Sequence, residues 1–369
     1  MLDACRAWVE ADVKKLIGNY KKVRDFVAPS SVMAIAKAEA YGHGAAPYCR
    51  VLSDAGCEAF AVAAAAEAVS LREAGIKGLI FVLGWTDPEA AETLVKYDIT
   101  VSAVSYAHAL AMSKMGLPVK MHVAVDTGMK RLGEPFDSPL LRKIYDLPNI
   151  KITGTYSHLA MADSMEPEDL AFTEAQIKRF DETVAALKAS GANVGKLHLQ
   201  ASYGIVNQTE KHYDFVRPGL LLFGVKSLGS DVEKTDLGLE PVLSVRARIA
   251  SVKPVKKGET AGYNRHFTAD KDCEIADVSI GYCDILPRCY YKNGGYLLIN
   301  GKKAPVVDLC MDQLLADVTG LSASEGGVAT VIGRDGDAFI PVEEVALKCG
   351  TISNEILSRI HSRVGVVYK

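Results

Sequence analysis

The stretch Val32-Met-Ala-Ile-Ala-Lys37-Ala-Glu-Ala-Tyr41-Gly-His43-Gly44 divides into a short run of small and branched apolar residues, one lysine, and a glycine-punctuated loop. The run reads as a strand buried on both faces, as in a parallel sheet. A helical stretch follows over residues 45–55. A lysine at the carboxyl end of such a strand is costly to bury, and desolvation favours its neutral, nucleophilic form. That form is what an imine with an aldehyde cofactor requires. A rim lysine whose ammonium reaches water is the plainer alternative, and strand position alone does not separate the two.

Outward from this stretch, short apolar runs recur over residues 60–63, 79–83, 99–104, 119–125, 151–157, 196–201 and 215–223. Helix-like segments separate most of them, among them 88–97, 106–115 and 168–190, and an amphipathic segment over 13–26 precedes the first. Eight strands alternating with helices predict an α/β fold of the (β/α)8 TIM-barrel type. A doubly wound sheet is the rival, but no G-x-G-x-x-G turn follows the first strand. From about residue 241 the pattern changes. Strand-like runs at 242–255, 260–263, 274–282, 296–299, 306–309 and 328–332 are separated by turns, with no long helical period before residue 342. The Gly-, Ser- and Asp-containing stretch 227–238 reads as a linker. The expected organisation is a barrel over 1–235 followed by a mostly β C-terminal domain over 236–369.

The chain has 369 residues, 49% of them apolar, ample for a large core and two domains. Its net charge of -3, without a long like-charge run, argues against nucleic acid or an anionic membrane as partner. No apolar run approaches the ~18 to 20 residues of a spanning helix, and the N-terminus has no signal-peptide pattern. Cys5, Cys49, Cys57, Cys273, Cys283, Cys289, Cys310 and Cys349 are scattered without a C-x-x-C pair. That spacing argues against a metal site or a disulfide framework and for a reducing, cytoplasmic setting.

In a barrel of this kind, function gathers at the carboxyl ends of the strands. After the fifth run comes D-T-G-M-K-R, ending in Arg131; the sixth ends in Ser157-His158; the seventh ends in Q-A-S-Y-G, placing Ser202; the eighth carries V-R-P-G-L, placing Arg217, Gly219 and Leu220. With Lys37 these could grip a phosphorylated aromatic aldehyde, the amides and Ser202 on the phosphate and His158 against the ring. Each piece has a plainer reading: a satisfied rim histidine, a helix N-cap at Ser202, a surface arginine, an exposed Asp126–Arg131 ion pair of little value. Their arrival on one rim favours the site.

At this point the sequence resembles the alanine racemases, through A-K-A-E-A-Y-G-H-G, V-D-T-G-M-K-R-L-G, T-Y-S-H-L-A, V-R-P-G-L-L-L-F-G, A-G-Y-N, S-I-G-Y-C-D-I-L-P-R and L-C-M-D-Q, in order and over nearly the whole chain. The resemblance implies a homodimeric pyridoxal 5'-phosphate enzyme that interconverts L- and D-alanine and supplies D-amino acids for peptidoglycan precursors. Lys37 then matches the lysine that holds the cofactor and acts as base toward the D-enantiomer. Tyr263 matches the opposing base for the L-enantiomer, contributed by the partner subunit. Tyr41, Ser202, Gly219 and Leu220 resemble the phosphate-binding set, and Arg217 the arginine on the pyridine nitrogen. Arg131 and Met311 match contacts to the substrate carboxylate. Asp163, Tyr282, Arg288 and Ile352 resemble residues of the channel leading to the site.

Four positions depart from that pattern. Ala124 stands where a lysine, often carbamylated, orients the arginine matched to Arg131. H-x-x-N-S becomes His198-Leu-Gln-Ala201-Ser202. Asp308 replaces a channel arginine, and Asn354 replaces a tyrosine beside the substrate side chain. Ala124 and Asn354 point toward the catalytic part of the membrane serine/alanine racemases linked to vancomycin resistance, so serine is expected as a further substrate, with Asn354 in the pocket. The rivals are a basic amino-acid decarboxylase on the same scaffold, a non-catalytic cofactor carrier, and a barrel kept as an interaction scaffold.

Overall fold

In the computed structural model, which describes residues 6–360 and 362–369, eight parallel strands close into a barrel. They are Ser31–Ile35, Ala59–Val62, Leu79–Val82, Thr100–Ala103, Val119–Asp126, Ile150–Tyr156, Lys196–Ala201 and Phe215–Arg217, each paired with the next and the last with the first. Both faces of these strands are packed, with Met33, Phe60, Phe81 and Met121 among the fully buried side chains. The expected eighth run, 215–223, is a strand only over its first three residues. Pro218 has no amide hydrogen for a ladder, and Leu220–Phe223 turn into a short helix.

The helices follow from local signals. Val13–Val27 starts where the Asp12 side chain accepts the Lys15 amide, and buries Leu16, Tyr20, Val23 and Val27 at three- and four-residue spacing. Pro167–Ala189 opens with proline and with Glu168 and Asp169 in its first turn, and carries Lys188 in its last, each charge complementing the helix dipole. That helix buries Gln176, whose side chain ties down two rim loops. Its Oε1 accepts the Ala160 amide, and its Nε2 donates to Thr127 Oγ1 and to the His158 carbonyl.

The second unit is a closed antiparallel barrel of six strands: Leu243–Val255, Cys273–Val278, Tyr296–Ile299, Lys302–Leu309, Leu314–Asp317 and Val328–Asp335. Its first strand also pairs with Ala7–Ala11, which in turn pairs in parallel with Gly365–Tyr368. Residues 7–11 thus depart from the expected division at residue 235, and residues 1–5, Cys5 included, lie outside the described residues. A strand of 13 residues would otherwise leave an open edge along its first half. The chain's first strand covers it. The C-terminal segment reaches back to the main barrel: Ser353–Ser358 packs on the turn after Lys37, and Tyr368 donates to the His43 carbonyl at 2.9 Å. Gly42 permits this contact, because a Cβ there would stand 2.5 Å from Ile360 Cδ1 and 2.7 Å from the Leu357 carbonyl.

Candidate active site

A cavity of about 450 Å³ opens at the carboxyl ends of the parallel strands. Lys37, Tyr41, Arg131, His158, Ser202, Arg217, Gly219 and Leu220 all line it, as do Asp163, Ile352 and Asn354.

Lys37 follows the first barrel strand and begins an unusual turn. Ala38, Glu39, Ala40 and Tyr41 all lie in the left-handed region, with φ between 50° and 53°. For L-residues this costs roughly 1–2 kcal/mol each, so the surroundings must over-determine it. Glu67 does much of that: its carboxylate accepts the amides of Ala38 (2.6 Å), Ala63 (2.8 Å) and Ala64 (3.1 Å). Glu39 meanwhile accepts the Ala45 amide at the start of the next helix. The turn brings Tyr41 back over the cavity, with Lys37 Nζ 5.9 Å from its ring centre. Burial lowers the Lys37 pKa, the positive charge of Arg131 lowers it further, and Glu67 partly opposes both.

At the other end of the cavity, Ser202 Oγ accepts the amides of Gly219 (3.0 Å) and Leu221 (3.3 Å). The expected N-cap role of Ser202 thus gives way to bracing the Pro218–Gly219 loop. The Tyr41 hydroxyl lies where a Cβ on residue 219 would be 3.2 Å from it. Neither that hydroxyl nor the Leu220 amide has a hydrogen-bond partner among the described residues. The Tyr41 and Ser202 hydroxyls, the open Leu220 amide and a close glycine make a cradle suited to a phosphate.

Arg217 is buried beneath the floor. Its Nη1 donates to His198 Nδ1 at 2.7 Å, which places the His198 proton on Nε2, from where it is donated to His122 Nδ1 at 2.8 Å. Nη2 is shared between the carbonyls of Ser157 (2.7 Å) and Leu199 (2.8 Å) and His158 Nδ1 (3.1 Å). Nε–H has no partner among the described residues. Burial brings the Arg217 pKa down to about 10, so the group remains a cation at neutral pH. Burial first, and then the Arg217 charge, push His122 and His158 down to about 3 and His198 well below its usual value. Tyr156 stacks on His198, with ring centres 4.9 Å apart and 4° between planes, and its hydroxyl pairs with Ser102 Oγ at 2.8 Å.

Tyr156, His122, Glu67 and Ser227 were missed by sequence reasoning. A histidine inside a strand buried on both faces was the available signal for His122, and nothing local marked Glu67. The plainer reading of Arg131 as the partner of Asp126 does not hold. Asp126 is engaged by the amides of Gly128 and Lys130 and by Lys130 Nζ, and Arg131 has no ion pair among the described residues.

Tyr263, Tyr282, Arg288 and Met311 do not line this cavity. All four lie in loops of the C-terminal unit, with Tyr263 70% and Met311 51% exposed. Among the described residues, no group of three or more His, Cys, Asp or Glu is placed to hold a metal. No helix among them is long and apolar enough to cross a membrane.

The family model described as "Alanine racemase, N-terminal domain" matches residues 11–227, and "Alanine racemase, C-terminal domain" matches 242–368. The chain belongs to the alanine racemase family. It is 36% identical over 366 residues to a serine/alanine racemase of Enterococcus gallinarum, covering 99% of this chain and 52% of that protein. It is 34% identical over 370 residues to an alanine racemase of Clostridium tetani, covering 98% and 95%. The crystal structure of alanine racemase from Bacillus anthracis with bound L-Ala-P is similar at a TM-score of 0.91 and 29% identity, covering 99% of this chain and 95% of that one. The chain thus spans about half the length of the Enterococcus relatives it matches.

For this alanine racemase family member, the departures acquire places. Ala124 is buried in the wall of the cavity that Arg131 also lines. Ala201 lines the same wall. Asn354 sits at the mouth with its Oδ1 accepting the Ser227 hydroxyl at 2.8 Å, so its amide hydrogens are left unengaged among the described residues. Asp308 is fully buried, and its carboxylate accepts the Tyr263 amide.

Proposed function

We propose that the chain is a pyridoxal 5'-phosphate-dependent racemase acting on alanine and serine, with each active site built from two copies. The observation that carries this reading is a lysine of lowered pKa sharing one cavity with a phosphate cradle and a buried arginine whose Nε–H is unpartnered among the described residues. These residues fit the cofactor: Lys37 would hold its aldehyde carbon, Tyr41, Ser202, Gly219 and Leu220 its phosphate, and Arg217 its ring nitrogen. When bound, the cofactor supplies the electron sink that acidifies the substrate α-hydrogen.

The rest is done by the chain. Lys37 holds or moves a proton on one face of the substrate α-carbon. Tyr263 of the partner subunit does so on the other, and Met311 of the partner subunit meets the carboxylate together with Arg131. A guanidinium does not give up its proton, and Arg217 is surrounded by acceptors, so it cannot protonate the ring nitrogen. The products would be D-amino acids of the kind used in peptidoglycan precursors.

The first test is to follow optical rotation and CO2 release with L-alanine and L-serine; loss of rotation without CO2 is expected. Release of CO2 would favour a decarboxylase, and inertness a carrier or scaffold. Borohydride reduction of the holoprotein should fix the cofactor to a peptide containing Lys37, and labelling of any other lysine would end the assignment.

Serine acceptance is assigned to Asn354. Because Ser227 occupies its carbonyl oxygen, the amide N–H groups are the available partners for a substrate hydroxyl. A neutral hydrogen bond is worth ~0.5 to 1.5 kcal/mol, about two- to tenfold in affinity. Asn354→Tyr should therefore lower kcat/KM for serine by at least that factor while alanine changes less. An equal fall for both substrates would remove Asn354 as the determinant.

A further inference from the structure

We propose that Asp308 is a positioning residue for Tyr263, its buried carboxylate holding the exposed turn that presents the tyrosine to a second copy. The inference rests on the reading of Tyr263 as a proton-transfer group.

Asp308 lies on the strand Lys302–Leu309 and has no exposed surface. The ladder to Leu314–Asp317 slips at this point: Val306 faces Ala316 while Asp308 faces Leu315, so one residue is extra. Such a bulge re-aims a side chain. Here Asp308 Oδ2 accepts the Tyr263 amide at 2.9 Å, and Oδ1 accepts the Leu309 amide at 2.8 Å. Charge-assisted bonds of this kind are roughly twice as strong as neutral ones.

A short antiparallel ladder, Thr260–Ala261 with Phe267–Thr268, closes the turn at its base, and within the turn the backbone is unusual. Gly262, Asn264 and Arg265 have φ of 80°, 55° and 54°, a region that non-glycine residues seldom occupy. The other ties are local and long: Arg265 N–H to the Gly262 carbonyl at 3.3 Å, and His266 N–H to the Tyr263 carbonyl at 3.2 Å. Among the described residues, Asp308 makes the one side-chain hydrogen bond that reaches residues 262–266 from outside. Contact is close, since a Cβ on residue 262 would stand 2.4 Å from Asp308 Oδ2. The carboxylate therefore occupies the space that glycine leaves and sets where the Tyr263 side chain departs from the backbone. A base displaced by about 1 Å can cost 10²-fold in rate.

The test compares Asp308→Ala, Asp308→Asn and Tyr263→Phe holoenzymes by exchange of the α-hydrogen with deuterated solvent, measured separately from L- and D-alanine. Asp308→Ala should slow exchange from L-alanine ten- to a hundredfold and leave exchange from D-alanine, the Lys37 face, near wild type. Asp308→Asn offers one acceptor to two amides and should show a smaller loss on the same face. A second readout needs no cofactor: in the apoprotein, amide hydrogen exchange in a peptide spanning residues 261–268 should quicken in Asp308→Ala. Equal losses on both faces, no loss on either, or unchanged amide protection would overturn the proposal. If Tyr263→Phe itself spares exchange from L-alanine, the tyrosine reading fails, while the amide measurement still reports whether Asp308 holds the turn.

Discussion

Mixing Lys37→Ala with Tyr263→Phe should return activity that neither variant has alone. Each variant lacks one of two proton-transfer groups, and such a group is typically worth 10²- to 10⁴-fold in rate. In one chain Lys37 lines the cavity while Tyr263 stands in the C-terminal unit, 70% exposed and outside it. Racemisation moves a proton from one face of a carbon to the other, and under the proposed two-base reading a second copy would bring Tyr263 to Lys37. In a heterodimer of the two variants, one site then carries both substitutions and the other carries none. With free exchange, half the dimers are mixed and half their sites intact, so roughly a quarter of wild-type activity should appear if the dimer is two-fold symmetric. Subunit exchange should be verified by mass, for example with one variant tagged. Exchange without recovery would show that the two groups act within one chain, or that one of them does not act at all.

A second large effect is expected on stability in mild acid. His43, His122 and His198 are essentially fully buried. Burial holds His43 near 4, His122 near 3 and His198 well below its usual value, and the Arg217 charge adds to burial for the last two. With folded pKa values below the unfolded 6.5, the unfolded chain takes up protons that the native state refuses. Stability from these groups is thus fully present above about pH 7 and lost as pH falls from 6.5 toward 4. Each contributes about 1 kcal/mol per pH unit in that window. Three of them make the loss on the order of 3 to 4 kcal/mol at pH 5.5, a large part of the 5–15 kcal/mol typical of a folded protein. The denaturant midpoint of the holoprotein should therefore fall steeply between pH 7.5 and 5.5, above the range in which most carboxylates titrate. A midpoint flat across that interval would mean that the buried imidazoles protonate without opening the barrel.

The barrel was legible because each parallel strand is buried on both faces and so reads as an uninterrupted apolar run, with a polar residue where the strand meets the rim. Lys37, His158, Ser202 and Arg217 each sit at such a junction, which is why position in the sequence was enough to group them, and the resemblance then named their roles. The region 215–223 misled for a simple reason. Val216 and Leu220–Phe223 are equally apolar, and Pro218, with no amide hydrogen to continue the ladder, ends the strand before the second half turns into a helix. Ala7–Ala11 was overlooked because five residues carry no usable period, and its partners are more than 230 residues away in the chain.

What the linear chain determined by itself, then, was the order of a (β/α)8 barrel followed by a mostly β domain, the rim positions of the barrel residues, and the four departures at Ala124, Ala201, Asp308 and Asn354. Tertiary structure alone decided their relations. It showed that Arg217 directs its two Nη groups to His198, His158 and two carbonyls, with Nε–H unpartnered among the described residues, and that Glu67 holds the left-handed turn after Lys37. It showed that Ser227 occupies the Asn354 carbonyl oxygen and that Asp308 turns inward onto the Tyr263 amide. The physical reason is the range of the forces involved. Burial and backbone propensity act over a few neighbouring residues and leave a periodic trace in the sequence. A hydrogen bond depends on tenths of an ångström between groups that may be a hundred residues apart, and leaves none.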